Sequence, residues 1–328
     1  MKRNSPLLIT AALLSVSALM MSSCIQFEEK VILNPDNSGK TRVTLIMPNP
    51  AEMMGAMMEG LAPDGAAAAE GMPSIDDMAK DMAQGILGGA KGVEAWRNVE
   101  WGATEDGKMR FQGVAYFRDF NEFEASSDDG GAGPDLGSPT STMRDGKWVI
   151  AIEMKDDGEP DDPAAAPQIP ADQIDTIIAQ SRAQWEQQKP VMGPMIGSMR
   201  MEYRLKVGGT IESVSAFTQH EPNVAGIVMD GQKMIGAMDG LIGDDDAMRK
   251  LMTEGSFDAQ GMPEPPDDQM MELVFGSPGP LEIIIEPGDP LFDYEAEVAA
   301  AKASMTDELK GMIEAGQAAA AAGDGDPF

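Results

Sequence analysis

Residues 25–47 constrain the fold more than any other stretch. Ile25, Phe27, Val31 and Leu33 keep a two-residue period. After the turn residues Asn34, Pro35, Asp36, Asn37, Ser38 and Gly39, the apolar positions Val43, Leu45 and Met47 alternate with Arg42, Thr44 and Ile46. Successive side chains of a strand point to opposite faces, so apolar residues at every second position mean one buried and one wetter face. Two such runs around a turn rich in Asn, Asp, Ser and Gly predict a β-hairpin, which commits the chain to a fold built on a sheet.

Period-two patterns return at 93–101 and 109–117, joined by Glu105, Asp106 and Gly107, and again at 147–154. Further strands are expected at 199–207 and 210–217 around a tight Gly208–Gly209 turn, then at 224–229 and 281–286. Helical spacing appears between them. Met53, Met54, Met57 and Met58, then Ile75, Met78, Met82 and Ile86, recur every three or four residues, with Ser74 as N-cap and Asp76 and Asp77 in the first turn. Ile174, Ile177, Ile178, Ser181 and Trp185 form one stripe of a helix over 171–189; shorter helices are expected at 232–241 and 244–252, and a polar, alanine-rich one over 294–315. The expected fold class is α+β, a mostly antiparallel sheet packed with Met-rich amphipathic helices. Hydrophobic residues make up 42% of the chain, ample for a core. Low-complexity runs at 62–71, 126–141, 156–167, 253–268 and 315–327 bury too little apolar surface to offset their ordering entropy, so they read as long disordered acidic, Gly and Pro loops and a tail.

The N-terminus carries an address. Lys2 and Arg3 precede an apolar run from Pro6 to Met21, shorter than the ~20 residues of a membrane-spanning helix, and Met21, Ser22, Ser23 and Cys24 close it. Cys24 is the one cysteine of the chain. A lone thiol at that position resembles the acylated cysteine of bacterial lipoproteins, with 1–23 as the cleaved signal peptide. Cleavage before Cys24 would leave 328 − 23 = 305 residues and 22 basic against 55 acidic side chains, a net charge of −33. Such a surface is expected to be repelled by anionic lipid headgroups and by nucleic acid phosphates, which excludes nucleic acid as a partner and leaves membrane attachment to the Cys24 lipid with little help from the protein surface. The expected organisation is 1–23 signal peptide, 24–292 α+β envelope domain with mobile insertions at 126–141, 156–167 and 253–268, and 293–328 polar helix and tail. Ile25 after the cysteine is not the aspartate of an inner-membrane retention signal, which favours the outer membrane where the host has one.

The hairpin directly after Cys24, with its Asn-Asp-Asn-Ser-Gly turn, and the segment MRMEYRLKVGGTIESVSAF at 199–217 resemble the LppM-type domain of mycobacterial and related bacterial lipoproteins. Gly208–Gly209 stands where that pattern often has Pro-Gly, and the tryptophan often found in the following strand is lacking. The resemblance implies an α+β envelope domain and no particular reaction.

Candidate chemistry is thin. Asn34, Asp36, Ser38 and Gly39 mimic half of a calcium loop, but the twelfth position is Leu45 rather than a carboxylate, so a hairpin turn is expected. The runs Asp128–Asp129, Asp156–Asp157, Asp161–Asp162 and 244–246 read as solvated loops. The clusters Met53, Met54, Met57, Met58 and Met192, Met195, Met199, Met201 resemble soft-metal sites, yet His220 is solitary and assigned to a turn; methionine also fills cores and adaptable apolar surfaces, the preferred reading. No G-x-S-x-G elbow, P-loop, dinucleotide fingerprint or zinc spacing occurs. The expectation is a non-catalytic, lipid-anchored envelope module that binds a lipid, another apolar ligand or an envelope protein, with no catalytic, cofactor or metal residues and Cys24 as the lipidation site. The alternative is a carboxylate-based hydrolase of cell-wall sugars working beside Trp96 or Trp101; copper binding by methionine is a more distant one.

Overall fold

The computed structural model describes residues 25–50, 73–124, 138–153, 171–254, 256–257, 263–264, 275 and 281–323. Cys24, Met53 to Met58 and the central parts of the low-complexity insertions lie outside them. In chain order the strands are β1 (Gln26–Leu33), β2 (Gly39–Met47), β3 (Val93–Ala103), β4 (Met109–Phe117), β5 (Ser138–Arg144), β6 (Lys147–Glu153), β7 (Arg200–Val207), β8 (Gly209–Ser215), β9 (Thr218–Glu221), β10 (Val224–Asp230), β11 (Ser256–Phe257), β12 (Pro263–Glu264) and β13 (Leu281–Pro287). The helices are α1 (Ile75–Gly89), α2 (Ala171–Gly197), α3 (Gly231–Gly243), α4 (Asp245–Glu254), α5 (Tyr294–Ser304) and α6 (Asp307–Gly323). The chain is α+β, with mostly antiparallel pairing, and divides into two units.

The larger unit comprises Gln26–Ala166, Met201–Val228 and Pro266–Phe328. Its seven-stranded sheet runs β3-β4-β2-β1-β7-β10-β9, and its four-stranded sheet β5-β6-β13-β8. The hairpin forms as its alternation dictates, with Gln26 opposite Ile46 and Leu33 opposite Gly39. β7 is the exception to antiparallel order. The Arg200 amide donates to the Ile25 carbonyl at 2.9 Å and the Gly208 amide to that of Leu33 at 2.8 Å, so both strands advance together and the β1–β7 pair is parallel.

One face of the seven-stranded sheet is covered twice. Val31, Leu33, Phe117, Leu205 and Val207 meet Trp148, Ile150, Ile211, Ile283 and Ile285 of the second sheet in one core. Farther along, Val43, Leu45, Trp96, Phe111 and Ala115 pack under α1 and α6 through Ala83, Leu87, Leu309 and Met312. These helices approach closely: a Cβ on Gly88 would lie 2.2 Å from the Gly316 backbone, so glycine is required at that crossing. Ser74 caps α1, its hydroxyl accepting from the Asp77 amide at 3.1 Å.

Gly208–Gly209 makes no hairpin turn. It is the corner where the chain leaves one sheet for the other, since β7 and β8 belong to different sheets. A Cβ at Gly208 would meet Pro35 Cδ at 2.7 Å, and one at Gly209 would meet the Glu286 carbonyl at 2.3 Å, so glycine admits two backbones rather than a reversal. The C-terminal stretch also differs from expectation. It breaks into two helices at Met305 and Thr306, and both are amphipathic: Tyr294, Val298 and Ala301 of α5 pack on Ala95 and Tyr116, while Leu309 and Met312 of α6 enter the core beneath α1. The expected insertion at 126–141 ends in strand β5 from Ser138 onward.

The smaller unit draws on Pro167–Arg200 and Met229–Pro265. The stripe on α2 is buried as read, Ile174, Ile178 and Trp185 packing on Ile235 and Ile242 of α3 and Met248, Leu251 and Met252 of α4. α2 does not stop at Lys189. Pro190 and Pro194 are four residues apart, so their missing amide donors fall on one face of the helix, which continues to Gly197. Arg182 closes the C-terminus of α3, donating to the Ile242 carbonyl at 2.7 Å and the Gly243 carbonyl at 3.0 Å.

The β1–β2 turn is the best connected loop. Asn34, 2% exposed, donates to Ser38 Oγ and the Phe292 carbonyl, each at 3.2 Å, and accepts from the Leu291 amide at 2.8 Å. Asn37 takes the left-handed conformation (φ 67°) that Asn tolerates; its side-chain oxygen accepts from Ser141 Oγ at 2.6 Å, and its carbonyl from the Phe120 amide at 3.0 Å. The oxygens that mimic a calcium loop are thus engaged within the protein. Replacing Asn34 by Ala removes three hydrogen bonds and strands the Leu291 amide, and should lower the free energy of urea unfolding by about 3 kcal/mol; an unchanged midpoint and slope would contradict this bonding.

Candidate functional site

Cys24 adjoins ordered structure. Ile25, the next residue, already has its carbonyl bound to the Arg200 amide, and the sheet begins at Gln26. Whatever is attached at residue 24 is one residue from a fixed point. Among the described residues no helix is long and apolar enough to cross a membrane.

Midway along β1, the inner face of the seven-stranded sheet holds a carboxyl group. Glu29 occupies the inward phase of β1, between Phe27, which packs under α1 and α6, and Val31, which faces the second sheet. It is 8% exposed, and its Oε1 accepts from Thr41 Oγ1 of β2 at 3.1 Å. Burial outweighs that hydrogen bond and pushes its pKa up to about 7. The parallel register places Tyr203 of β7 beside it. Tyr203 is also 8% exposed, its hydroxyl has no hydrogen-bond partner among the described residues, and its pKa is driven well above 10 by burial, with the Glu29 charge adding to the rise. A protonated Glu29 is a donor in an apolar seam. In the sequence, one acid in an otherwise alternating strand resembles a lapse of pattern, and Glu29 is not among the expected site residues; its signal is its phase, two residues from Phe27 and from Val31.

The outer face of the same sheet carries charge in rows set by register. Arg97, Val114, Arg42 and Lys30 lie side by side across β3, β4, β2 and β1, and Arg204 of β7 continues the row. A Cβ on Gly226 of β10 would lie 3.3 Å from Arg204 Cγ and 3.2 Å from His220 Nε2, so His220 stands at the end of this row. It sits on an exposed strand, β9, rather than in a turn. The adjacent row is acidic: Glu100, Gln112, Thr44, Glu28 and Glu202. Lys30 pairs with Glu28 at 2.6 Å, Arg110 with Glu100 at 3.2 Å, and Arg204 with Glu202. On the other side, Lys40 is held by Glu297 of α5 at 2.6 Å and covers the Phe292 ring at 4.3 Å, while Tyr116 donates to Glu297 at 3.0 Å. Arg42 and Lys206 are exposed and make no ion pair among the described residues.

The tryptophans named for sugar binding differ in setting. Trp96 is buried and edge-on to Phe111 at 6.1 Å between centroids; Trp101 is half-buried at the rim of the same core. Met47, Met82, Met305 and Met312 fill that core, and Met248 and Met252 the helical unit, so the methionines that are described act mainly as packing. Met192 is exposed on α2 and Met201 buried in β7. Among the described residues no group of three or more His, Cys, Asp or Glu side chains is placed to hold a metal ion.

No family model matches the chain, and no curated protein does. Among solved structures it is similar to the folded domain of LppM from Mycobacterium tuberculosis, at 7% identity over 64% of this chain and 84% of that one, with a TM-score of 0.26. It is also similar to an M1 zinc metallopeptidase from Deinococcus radiodurans, at 9% identity over 64% of this chain and 40% of that one, with a TM-score of 0.20. The resemblance to the LppM-type domain is therefore a weak one.

The Glu29 carboxyl makes stability depend on pH. Its native pKa lies above the ordinary 4.5, so the folded state holds the proton more tightly than the unfolded chain. The resulting stabilisation is present in full below pH ~4.5 and is lost as pH rises to ~7, a change of about 3 kcal/mol from this group. Urea unfolding at pH 4.5 and pH 8 should show that fall once shared contributions are subtracted with Glu29→Gln, which keeps the Thr41 bond and has no proton to lose. Identical pH profiles for the two proteins would remove the assignment.

Proposed function

We propose that the chain is an extracytoplasmic lipoprotein of the cell envelope, held by lipid on Cys24 and acting as a non-catalytic binding module for an apolar ligand or an envelope partner. The observation that carries this is the junction of leader and fold. A short apolar leader ends at the single cysteine, and one residue later the backbone is hydrogen-bonded into the sheet. A lipid there anchors a body without a tether, since at ~3.3 Å per residue the gap from Cys24 to Gln26 spans less than ~7 Å.

The layer suited to admit an apolar ligand is the α1–α6 pair. It rests on the sheet through small residues and methionines, with Ala79, Ala83 and Leu87 facing inward and Phe27, Met47 and Trp101 along the margin. Separation of these helices would expose Leu45, Phe111 and Trp96. Catalysis on sugars has less in its favour: Trp96 offers no open ring face, and Glu100 near Trp101 is engaged by Arg110 and Gln112.

Expression of the full chain and its Cys24→Ser variant, followed by membrane fractionation and mass spectrometry, tests the anchor. The parent chain should pellet with membranes and begin at an acylated Cys24, and the variant should appear in the soluble fraction or remain unprocessed. A variant bound as firmly as its parent would refute the assignment, as would an unmodified Cys24 thiol in the parent.

A further inference from the structure

The acidic average of the chain hides a basic face. A net charge of −31 over 328 residues implies, taken as an average, a protein surface opposed to an anionic membrane. The sheet register sorts the charges differently. On the outer face of β1, β2, β3, β4 and β7, the cations Lys30, Arg42, Arg97 and Arg204 stand in one row, with Lys206 and Lys40 in the next and Arg110 beyond the acidic row. Lys40 lies under α5, which packs on Ala95 and Tyr116 of this face and supplies its partner Glu297; on the strand surface beyond α5 the other six cations face Glu28, Glu100 and Glu202, so it carries 6 − 3 = +3. Arg42, Arg97, Arg204 and Lys206 are exposed. At physiological salt the Debye length is ~8 Å, so a ligand at this face responds to its own charges and only weakly to the acids elsewhere on the chain.

From this juxtaposition we infer that the outer face of the seven-stranded sheet is a docking surface for anionic phospholipid headgroups, on which the body lies when Cys24 is acylated. The inference rests on the proposed anchor for its geometry. Lys30 is six residues from Cys24, or ~20 Å along an extended strand, so the cationic row lies within reach of the bilayer that would hold the lipid. Arg42 and Lys206 are not committed to carboxylates among the described residues and are available to phosphates. Half-buried Ile32 and Ile46 on the same face give apolar contact at headgroup depth. A membrane suits an extended cationic sheet surface better than a compact ligand does, because no concave pocket of basic side chains is needed; the positive charge is spread over five strands beside the part of the face that α5 covers.

The test uses the chain from residue 24 with Cys24→Ser, which carries no acyl group, and sedimentation with sucrose-loaded vesicles. Vesicles of 3:1 phosphatidylcholine and phosphatidylglycerol at 50 mM NaCl should bind it, and pure phosphatidylcholine or 500 mM NaCl should abolish binding. The double variant Arg42→Gln, Lys206→Gln should bind anionic vesicles about 25-fold more weakly, at roughly fivefold per basic residue removed. Arg42→Glu, Lys206→Glu should lose binding altogether, with an unchanged melting temperature for both doubles because neither side chain forms an ion pair among the described residues. Equal binding to neutral and anionic vesicles would overturn the inference, as would anionic binding indifferent to the substitutions. So would substitutions that alter self-association in sedimentation velocity and leave vesicle binding intact, or preference for a short DNA duplex over anionic vesicles. Failure here leaves the Cys24 anchor standing, since no acyl group takes part; an unacylated native Cys24 would remove the anchor and leave vesicle binding measurable.

Discussion

Asn34 ties together parts of the chain that lie far apart in sequence. Its amide group closes the β1–β2 turn on Ser38 and reaches the backbone of residues 291 and 292, more than 250 residues away in sequence. The neighbouring Asn37 binds Ser141 at the head of the second sheet, and Ser141 Oγ in turn accepts from the buried Trp148 indole at 2.5 Å. Hydrophobic burial is non-directional, so it brings two sheets together without fixing their offset. Buried side-chain amides and hydroxyls do fix it, because each donor left unpaired costs roughly 1–3 kcal/mol. The turn thus sets the register between layers that the apolar core merely joins.

The seven-stranded sheet separates two chemistries. Odd-numbered residues of β1 and β2 face packed layers and are apolar except for Glu29, Thr41 and the glycine at 39, whereas the even-numbered ones mix Lys30, Lys40 and Arg42 with Glu28, Gln26, Thr44, Ile32 and Ile46. The inner face is nearly uniform, and the outer one is sorted into rows, because strand pairing brings like phases into line. The exception at Glu29 costs the fold a buried acid and leaves it with a group that titrates where most carboxylates do not. Tyr203, whose hydroxyl has no partner among the described residues, lies beside it in the same seam. Two polar groups at the meeting of two cores are uncommon in a layer otherwise filled by Val, Leu and Phe.

Elements with strong local patterns are legible in the amino-acid sequence alone: the hairpin, β4 over Met109–Phe117, the Ser74 cap and the α2 stripe of Ile174, Ile178 and Trp185. Those that escape it depend on distant partners. β5 reads SPTSTMR, with no apolar alternation, and is a strand because β6 pairs with it and Asn121 accepts from the Ser141 amide at 2.6 Å. Alanine-rich α5 and α6 look polar since Tyr294, Val298, Leu309 and Met312 are few, yet these few are the buried ones. The cationic row is hidden because Arg97, Arg42, Lys30 and Arg204 come from four strands, and no composition or spacing in one strand signals their alignment. The Gly208–Gly209 dipeptide is legible as a special backbone and illegible as to its kind.

The parallel β1–β7 pair sets an order of events during folding. β1 can zip to β2 at once across a short turn, but its other edge waits for a strand whose first residue is 200 − 25 = 175 positions beyond Ile25. Closing so long a loop is slow, and until it closes the hairpin presents unpaired amides and carbonyls along Gln26–Leu33. An open strand edge invites a second chain. Lys30 and Glu28, alternating along that edge with Glu29, place charge on both faces of the waiting strand and make it a poor template for self-pairing. The residues that later line a core seam and a basic surface also guard the nascent chain while its centre is still missing.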